Sequence, residues 1–277
     1  MLGKLFKHEW KSISRLLLIV HGFILIFALF SRIFLEINGG IDVAISNNGN
    51  NFVSLVAALI IFFIVLFIFC AAMLTYIYIG YRFYKNVFTD QGYLTNTLPV
   101  TPRQIIFSKG LTGLLWIIID VIVLSGSLAI LFTDTDLLAG LTEAFGNMSV
   151  SFSDIPAFFW LLLFMLLLSP FLMIAHLYFC VSVGSLIPNH KVLGAVGTYI
   201  ISYIIMQIIS TVVLSVSGFV FATGSMSTTG MTNAEATTYV TGMLNPIFII
   251  SIIFELICLV LFFFVTKYIM TKKLNLE

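Results

Sequence analysis

The sequence predicts an all-α, polytopic membrane protein with six transmembrane helices, an N-terminal interfacial amphipathic helix and a short cytoplasmic helix between spans two and three. The first observation is composition: of 277 residues, 60% are hydrophobic and only 9% are charged, and the mean hydropathy is +1.14. A soluble domain carries about 25% charged residues and needs a polar surface. The second observation is six apolar segments, each long enough to cross a bilayer core about 30 Å thick.

Residues 1–15 are predicted to form an amphipathic helix that lies along the inner membrane surface before the chain turns into the bilayer. Basic residues recur at helical spacing, and apolar residues occupy the other side. We expect a group of basic and aromatic side chains to anchor this segment to the membrane surface: Lys4, Lys7, Trp10, Lys11 and Arg15. The alternative is a plain charged flank that only determines topology.

Six spans follow and make up a single transmembrane domain. They are residues 16–34, 52–82, 105–132, 156–186, 192–221 and 246–267. Several exceed the minimum length, which implies tilt or extension beyond the lipid. The first span begins like a secretory signal, but no small-residue cleavage motif follows it, so we expect it to remain uncleaved.

The distribution of positive charge predicts the orientation. Lys and Arg accumulate in short cytoplasmic loops. With both termini in the cytoplasm, twelve of the thirteen Lys and Arg residues fall on the cytoplasmic side. The exception is Arg32 at the outer end of the first span, where it can snorkel or pair with Glu36 one helical turn later.

A long cytoplasmic segment, residues 84–103, connects spans two and three. It is longer than a helix connection needs to be. Asp90 places negative charge at the N-terminus of a predicted short helix, Leu94 and Leu98 form an apolar pair at i and i+4, and Pro99 ends the segment. A short amphipathic helix exposed to the cytosol predicts a docking surface. The alternative is an interfacial loop held by aromatic anchors.

The run FTDQGYLTNTLPVTPRQIIFSKGL in this segment resembles the signature of small ABC-2-type transporter permeases of low-GC Gram-positive bacteria. The resemblance implies a coupling helix that sits in a cleft of an ATP-binding subunit, and a location in the bacterial cytoplasmic membrane. By position, it assigns the following residues to the coupling segment, with Lys109 downstream: Asp90, Gln91, Gly92, Tyr93, Leu94, Thr97, Leu98, Pro99, Val100 and Thr101.

The resemblance also implies the partners and the cofactors. The chain is expected to form the translocation pathway of an exporter, together with cytosolic ABC ATPase subunits and a second permease copy or a paralogue in the lipid bilayer. No nucleic acid is expected. The chain has no G-x-x-x-x-G-K-[ST] phosphate-binding loop. We therefore expect ATP and Mg²⁺ to bind the partner ATPase, and this chain to bind no cofactor.

No catalytic or metal site is predicted. The sequence contains neither H-E-x-x-H nor G-x-S-x-G, and its four histidines have no spacing suited to a shared metal. His21 and His176 are expected to be packing or hydrogen-bonding residues. Three isolated cysteines do not suggest a disulfide framework.

Two carboxylates lie inside predicted spans: Asp120 near the middle of the third and Glu255 about halfway along the sixth. Insertion scales put a central Asp at about 2.5–3.5 kcal/mol unfavourable, so such residues face a bundle interior or a water-filled cavity. Both are candidates for an intramembrane polar pathway. The alternative is an internal hydrogen bond between helices, for instance from Asp120 to a nearby Ser or Thr. No basic residue is expected at their depth, which leaves one or both open to protonation.

Other features concern the later spans. The resemblance implies an external re-entrant element within residues 222–245, where residues 234–243 form either about two helical turns or a flexible loop. Residues 133–154 are an acidic external loop. Pro170 should kink the fourth span. Gly194 and Gly197 are small enough for close helix contact, which suits a dimer interface.

Two other functions remain open. One is an ion-coupled secondary transporter that uses Asp120 and Glu255. The other is a non-transporting membrane scaffold or assembly factor. An ATPase reading frame beside the gene would favour the exporter.

Overall fold

The computed structural model of the chain describes residues 2–38, 40, 51–97, 99–132, 140, 142–143, 155–223 and 233–273. Within these ranges every regular element is helical. The helices are α1 (Leu2–Ile37), α2 (Asn51–Phe88), α3 (Asp90–Thr97), α4 (Pro102–Phe132), α5 (Ala157–Gly184), α6 (Lys191–Thr223) and α7 (Asn233–Lys272). All except α3 are long and apolar enough to cross a membrane. This confirms the predicted class, an all-α multi-pass membrane protein with six spans.

The bounds of α5 and α6 lie within two residues of the predicted spans. Their separation is clear in the sequence because Pro188 and Asn189 lie between them. Asn189 has a backbone φ of +68°, a left-handed conformation that Asn tolerates better than most residues. The turn therefore ends one helix and starts the next within a few residues.

The prediction that residues 1–15 form a separate element is wrong, because α1 is one continuous helix. Residues 4–21 contain neither Pro nor Gly to break it. Its buried residues form one stripe that runs through the expected junction: Glu9, Ile13, Leu17, His21, Ile24, Ala28, Ser31 and Leu35. Packing on this stripe favours a straight continuation. The predicted pair of Arg32 and Glu36 is confirmed, with Nη2 2.7 Å from Oε2.

The sixth apolar span begins at Leu244, close to the predicted start, but the helix that contains it begins earlier. The helix α7 starts at Asn233, and Pro246, the predicted first residue of the span, lies inside it. Residues 234–243 are therefore helical and continuous with the span. Residues 224–232 and most of the acidic loop at 133–154 lie outside the described residues. Pro170 lies within α5, as the sequence places it.

The chain divides into two compact units, where the sequence predicted a single transmembrane domain. The first comprises Met1–Ile79 and Leu111–Ser149, and the second comprises Gly80–Gly110 and Val150–Glu277. In the first unit, the buried side chains of Ala28, Ala57 and Ile64 form a core cluster with Leu35 and Leu131. Because lipid is as apolar as these side chains, the hydrophobic effect does not drive the helices together. Small residues such as Ala28 and Ala57 stabilise the contact instead, since they allow the helices to pack closely.

In the second unit, α5 packs against both α6 and α7. The start of α6 crosses the end of α5 at two glycines. A Cβ atom on Gly184 would lie 2.1 Å from the backbone nitrogen of Ala195, and one on Gly194 would lie 2.6 Å from the Gly184 carbonyl oxygen. Only glycine fits at either position. The close contact predicted for Gly194 is therefore made within the chain, while a Cβ on Gly197 would meet nothing within 4 Å.

Candidate functional sites

The predicted coupling segment contains a helix of eight residues, α3. Thr89 is the single residue between α2 and α3, and its hydroxyl donates to the Lys85 carbonyl at 2.5 Å. Its own carbonyl accepts from the Gly92 amide at 2.6 Å. Asp90 lies in the first turn of α3, as predicted. These bonds join α3 to the end of α2 at a defined corner.

The exposed surface of α3 combines the polar Asp90, Gln91 and Thr97 with two neighbouring side chains that are largely apolar, Tyr93 and Leu94. Tyr93 is 66% exposed and Leu94 is 69% exposed, so neither side chain is covered by the rest of the chain. Gln91 and Pro99 are also exposed, whereas Gly92 is buried. The predicted partner of Leu94, Leu98, lies outside the described residues.

Thr101 has a local role that the sequence analysis missed. Its amide donates to Gln104 Oε1 at 3.0 Å, and the Gln104 amide donates to Thr101 Oγ1 at 3.4 Å. This reciprocal pair is a capping box, and the intervening Pro102 is suited to the first helical position. The sequence T-P-R-Q at residues 101–104 is the pattern that predicts this cap. Thr101 thus begins α4, and the half-buried Val100 precedes it.

Asp120 belongs to a buried network in the first unit. His21, Thr75 and Asp120 are 3%, 0% and 6% exposed. The His21 Nε2 atom is hydrogen-bonded to Asp120 Oδ1, and the Thr75 hydroxyl donates to the same oxygen at 3.1 Å. The internal hydrogen bond that was the alternative for Asp120 is therefore present. The expectation that no basic residue lies beside it is wrong, because His21 does.

The other nitrogen of His21 bonds within its own helix. His21 Nδ1 lies 2.6 Å from the Leu17 carbonyl oxygen. A carbonyl only accepts hydrogen bonds, so Nδ1 donates to it. Both ring nitrogens of His21 are therefore hydrogen-bonded within the first unit.

The sequence contains no local signal for this pair, because the buried stripe of α1 that contains His21 is defined only by packing. Trp116 of α4 packs beside the pair, with its ring 5.8 Å from that of His21. Trp10, predicted to anchor the chain to the membrane surface, stacks on Trp116 at 5.2 Å and is half-buried. Its ring therefore serves packing between α1 and α4. The basic residues predicted to act with it are exposed: Lys4, Lys7, Lys11 and Arg15.

Glu255 belongs to the second unit and lines a cavity of about 230 Å³ between α5, α6 and α7. Five of the lining residues are polar: Tyr203, Gln207 and Ser210 on α6, with Ser251 and Glu255 on α7. Seven are apolar: Met165, Leu172, Met206, Val213, Leu214, Ile247 and Phe254. The polar residues follow helical spacing, at i, i+4 and i+7 on α6 and at i and i+4 on α7, so each helix turns one polar stripe toward the cavity.

The two carboxylates therefore differ. Asp120 is paired within its unit, whereas Glu255 Oε2 is buried and has no hydrogen-bond partner among the residues that the structure describes. The sequence indicated Glu255 as a candidate but did not predict the cavity. Isolated polar residues such as Gln207 and Ser210 are common in apolar helices, so their positions alone did not indicate a shared site.

His176 has a structural role, as expected. The Ser202 hydroxyl donates to the Thr198 carbonyl at 2.7 Å, so its oxygen accepts from His176 Nε2, also at 2.7 Å. The ring of His176 packs 5.1 Å from those of Tyr199 and Phe262. The histidine thus links α5 to α6 and α7. Within the described part of the chain, no group of three or more His, Cys, Asp or Glu residues is placed to hold a metal ion.

The chain matches no protein-family model, no curated protein and no solved structure. The functional interpretation therefore depends on its own residues.

Proposed function

We propose that the chain is the membrane-spanning permease subunit of an ATP-binding-cassette exporter, coupled to a separate cytosolic ATPase. The observation that supports this most directly is α3, a short helix between two long apolar helices with Tyr93 and Leu94 exposed. Exposed apolar side chains on a helix suit docking into a groove of a protein partner. The resemblance in the sequence of this segment points to the ATPase as that partner.

The connections of α3 are suited to transmitting movement. Only Thr89 separates α3 from α2, and the capping box at Thr101 defines where α4 begins. The end of α2 packs on α5, where the ring of Phe83 stacks on that of Tyr178 at 3.9 Å. A displacement of α3 by closing ATPase subunits would therefore reach α5 through direct contacts.

In this proposal the chain carries out no catalytic step. Two ATPase subunits bind ATP and Mg²⁺, and a second permease copy or a paralogue completes the pathway. The complex resides in a bacterial cytoplasmic membrane with both termini of this chain in the cytoplasm. That orientation places α3 on the side where an ATPase is found.

The test is Leu94→Asp in the full chain, co-expressed with the ABC ATPase whose reading frame is expected beside its gene. We expect the variant to lose co-purification of the ATPase and the stimulation of ATP hydrolysis by the permease, because a charge would be placed in an apolar contact. The matched control is Leu186→Asp, since Leu186 is 41% exposed and follows the end of α5, on the side of the membrane predicted to be cytoplasmic. Full complex formation and full ATP hydrolysis with Leu94→Asp would refute the coupling assignment.

A second candidate is an ion-coupled secondary transporter, which the unpartnered buried oxygen of Glu255 favours. Transport would then depend on pH or on a cation gradient in the absence of ATP, and would collapse in Asp120→Asn or Glu255→Gln. A transport rate that is unchanged by both substitutions would exclude this candidate.

A further inference from the structure

We propose that the cavity between α5, α6 and α7 binds the ammonium head group of a small cationic amphiphile, with Glu255 recognising its charge. The inference identifies a ligand class for the permease. It rests on the proposed function only for the step of transport, because binding itself requires no ATPase.

Three of the five polar side chains that line the cavity offer acceptors to a ligand, while Tyr203 and Gln207 can both donate and accept. The Ser210 hydroxyl donates to the Gln207 carbonyl at 3.0 Å, and the Ser251 hydroxyl donates to the Ile247 carbonyl at 2.8 Å. A hydroxyl has a single hydrogen, so both oxygens retain only lone pairs for a ligand. Glu255 adds carboxylate oxygens to this set. Such a site favours a ligand that carries N–H donors.

The charge of the ligand follows from Glu255. Its Oε2 atom is buried and lacks a hydrogen-bond partner within the described ranges, and none of the residues lining the cavity is Lys, Arg or His. An unpaired carboxylate is costly in an apolar bundle. An ammonium group supplies both the opposite charge and a charge-assisted hydrogen bond.

The walls of the cavity favour an organic cation over an inorganic one. Most of the lining is apolar, including Met165, Met206 and Phe254. A metal ion gains nothing from such walls, whereas an apolar body gains roughly 25 cal/mol for each Å² that it buries. Methionine side chains also adapt to ligands of different shape.

The size and position of the cavity limit the ligand further. Its volume of about 230 Å³ is below the roughly 300–1,000 Å³ typical of sites for drug-sized ligands. A small amphiphile fits such a space. Tyr203 lines the cavity and is 53% exposed, so the cavity opens on the surface of the second unit.

The test compares three probes of one shape and different charge: 4-phenylbutylamine, 4-phenylbutanol and 4-phenylbutyrate. Each is titrated into the purified full chain in phosphatidylcholine nanodiscs, and binding is measured by calorimetry. We expect the amine to bind about tenfold or more tightly than the alcohol, and the carboxylate not to bind, because only the amine forms a charge-assisted hydrogen bond.

Two substitutions locate the site. Glu255→Gln keeps the shape of the side chain and should reduce amine affinity about tenfold while leaving the alcohol unchanged. Glu36→Gln is the matched control, since it removes one carboxylate that is paired with Arg32, and it should leave amine binding unchanged. Phe254→Ala should weaken the amine and the alcohol by the same factor, which tests the apolar wall separately from the charge.

Four results would overturn the proposal. The first is equal binding of the amine and the alcohol, and the second is equal amine affinity in the Glu255→Gln and Glu36→Gln variants. The third is displacement of the amine by NaCl but not by KCl, which would indicate an alkali-metal site. The fourth is a change of oligomeric state in Glu255→Gln by light scattering, which would assign the polar stripes to a protein contact. Amine binding by a chain that does not bind the ATPase would uphold the ligand site while refuting the proposed function.

Discussion

Asp120 and Glu255 are both carboxylates within apolar helices, yet their surroundings differ. Asp120 accepts a hydrogen bond from Thr75 inside the first unit and is hydrogen-bonded to His21. Glu255 lines a cavity and has one oxygen without a hydrogen-bond partner in the described part of the chain. The first carboxyl group is satisfied within the fold, and the second keeps an unsatisfied oxygen.

The pairing of His21 with Asp120 predicts a non-additive effect on stability. His21→Leu or Asp120→Leu alone should lower the free energy of unfolding by about 2 kcal/mol, because each leaves a buried polar group without its partner. The double variant should recover to within about 1 kcal/mol of the wild type, since apolar side chains then replace both groups. Thermal unfolding of the full chain in detergent measures all three.

Ser125→Ala is the control for this cycle. The Ser125 hydroxyl bonds only to carbonyls of its own helix among the contacts described, and the residue is exposed. We expect a change below about 0.5 kcal/mol. If the effects of the His21 and Asp120 substitutions simply add in the double variant, the two side chains do not stabilise the protein as a pair.

Among the elements, the crossing of α5 and α6 depends on glycine. Gly184→Ala should lower the free energy of unfolding by about 1 to 3 kcal/mol, because its Cβ would overlap the backbone of Ala195 and force the helices apart. Gly197→Ala lies on the same helix as Ala195 and meets nothing within 4 Å. It should cause no loss of stability, and the higher helix propensity of Ala should raise the free energy of unfolding by up to about 1 kcal/mol.

The thermal unfolding temperatures of the two variants in the same detergent check this difference. Equal loss of stability in both would mean that the close contact at Gly184 does not distinguish the two positions, because helix propensity alone would raise stability in both variants. A loss confined to Gly197→Ala would instead indicate that this residue packs against a second copy of the chain.

For the whole molecule, the predicted orientation can be measured by cysteine labelling. The native Cys70, Cys180 and Cys258 are first replaced by Ala. A membrane-impermeant maleimide should then label Glu143→Cys in intact cells, because the external loop is predicted to face outside. Tyr93→Cys should be labelled only after the membrane is permeabilised, because α3 is predicted to face the cytoplasm.

Labelling of Tyr93→Cys in intact cells would show that the topology is the inverse of the predicted one. It would also remove α3 from the reach of a cytosolic ATPase, so the same experiment bears on the proposed function. Both residues are exposed in the structure, so the reagent has access to either cysteine once it reaches the correct side.

The sequence by itself determined the class of protein, the number of spans and most of their bounds. The reason is that lipid offers no hydrogen bonds, so each crossing must be a helix of about 20 apolar residues, and such runs are visible in the chain. Local signals were also sufficient for the turn at Asn189 and for the pair of Arg32 and Glu36, because both depend on residues close in sequence.

Only the tertiary structure decided which helix faces meet. The partnership of His21 with Asp120, the contact of Gly184 with Ala195 and the cavity around Glu255 all join residues from different helices. In a soluble protein, polar and apolar faces reveal such contacts. In a membrane helix, both the lipid-facing and the buried faces are apolar. The sequence pattern therefore does not distinguish them, and helix packing determines which face is buried.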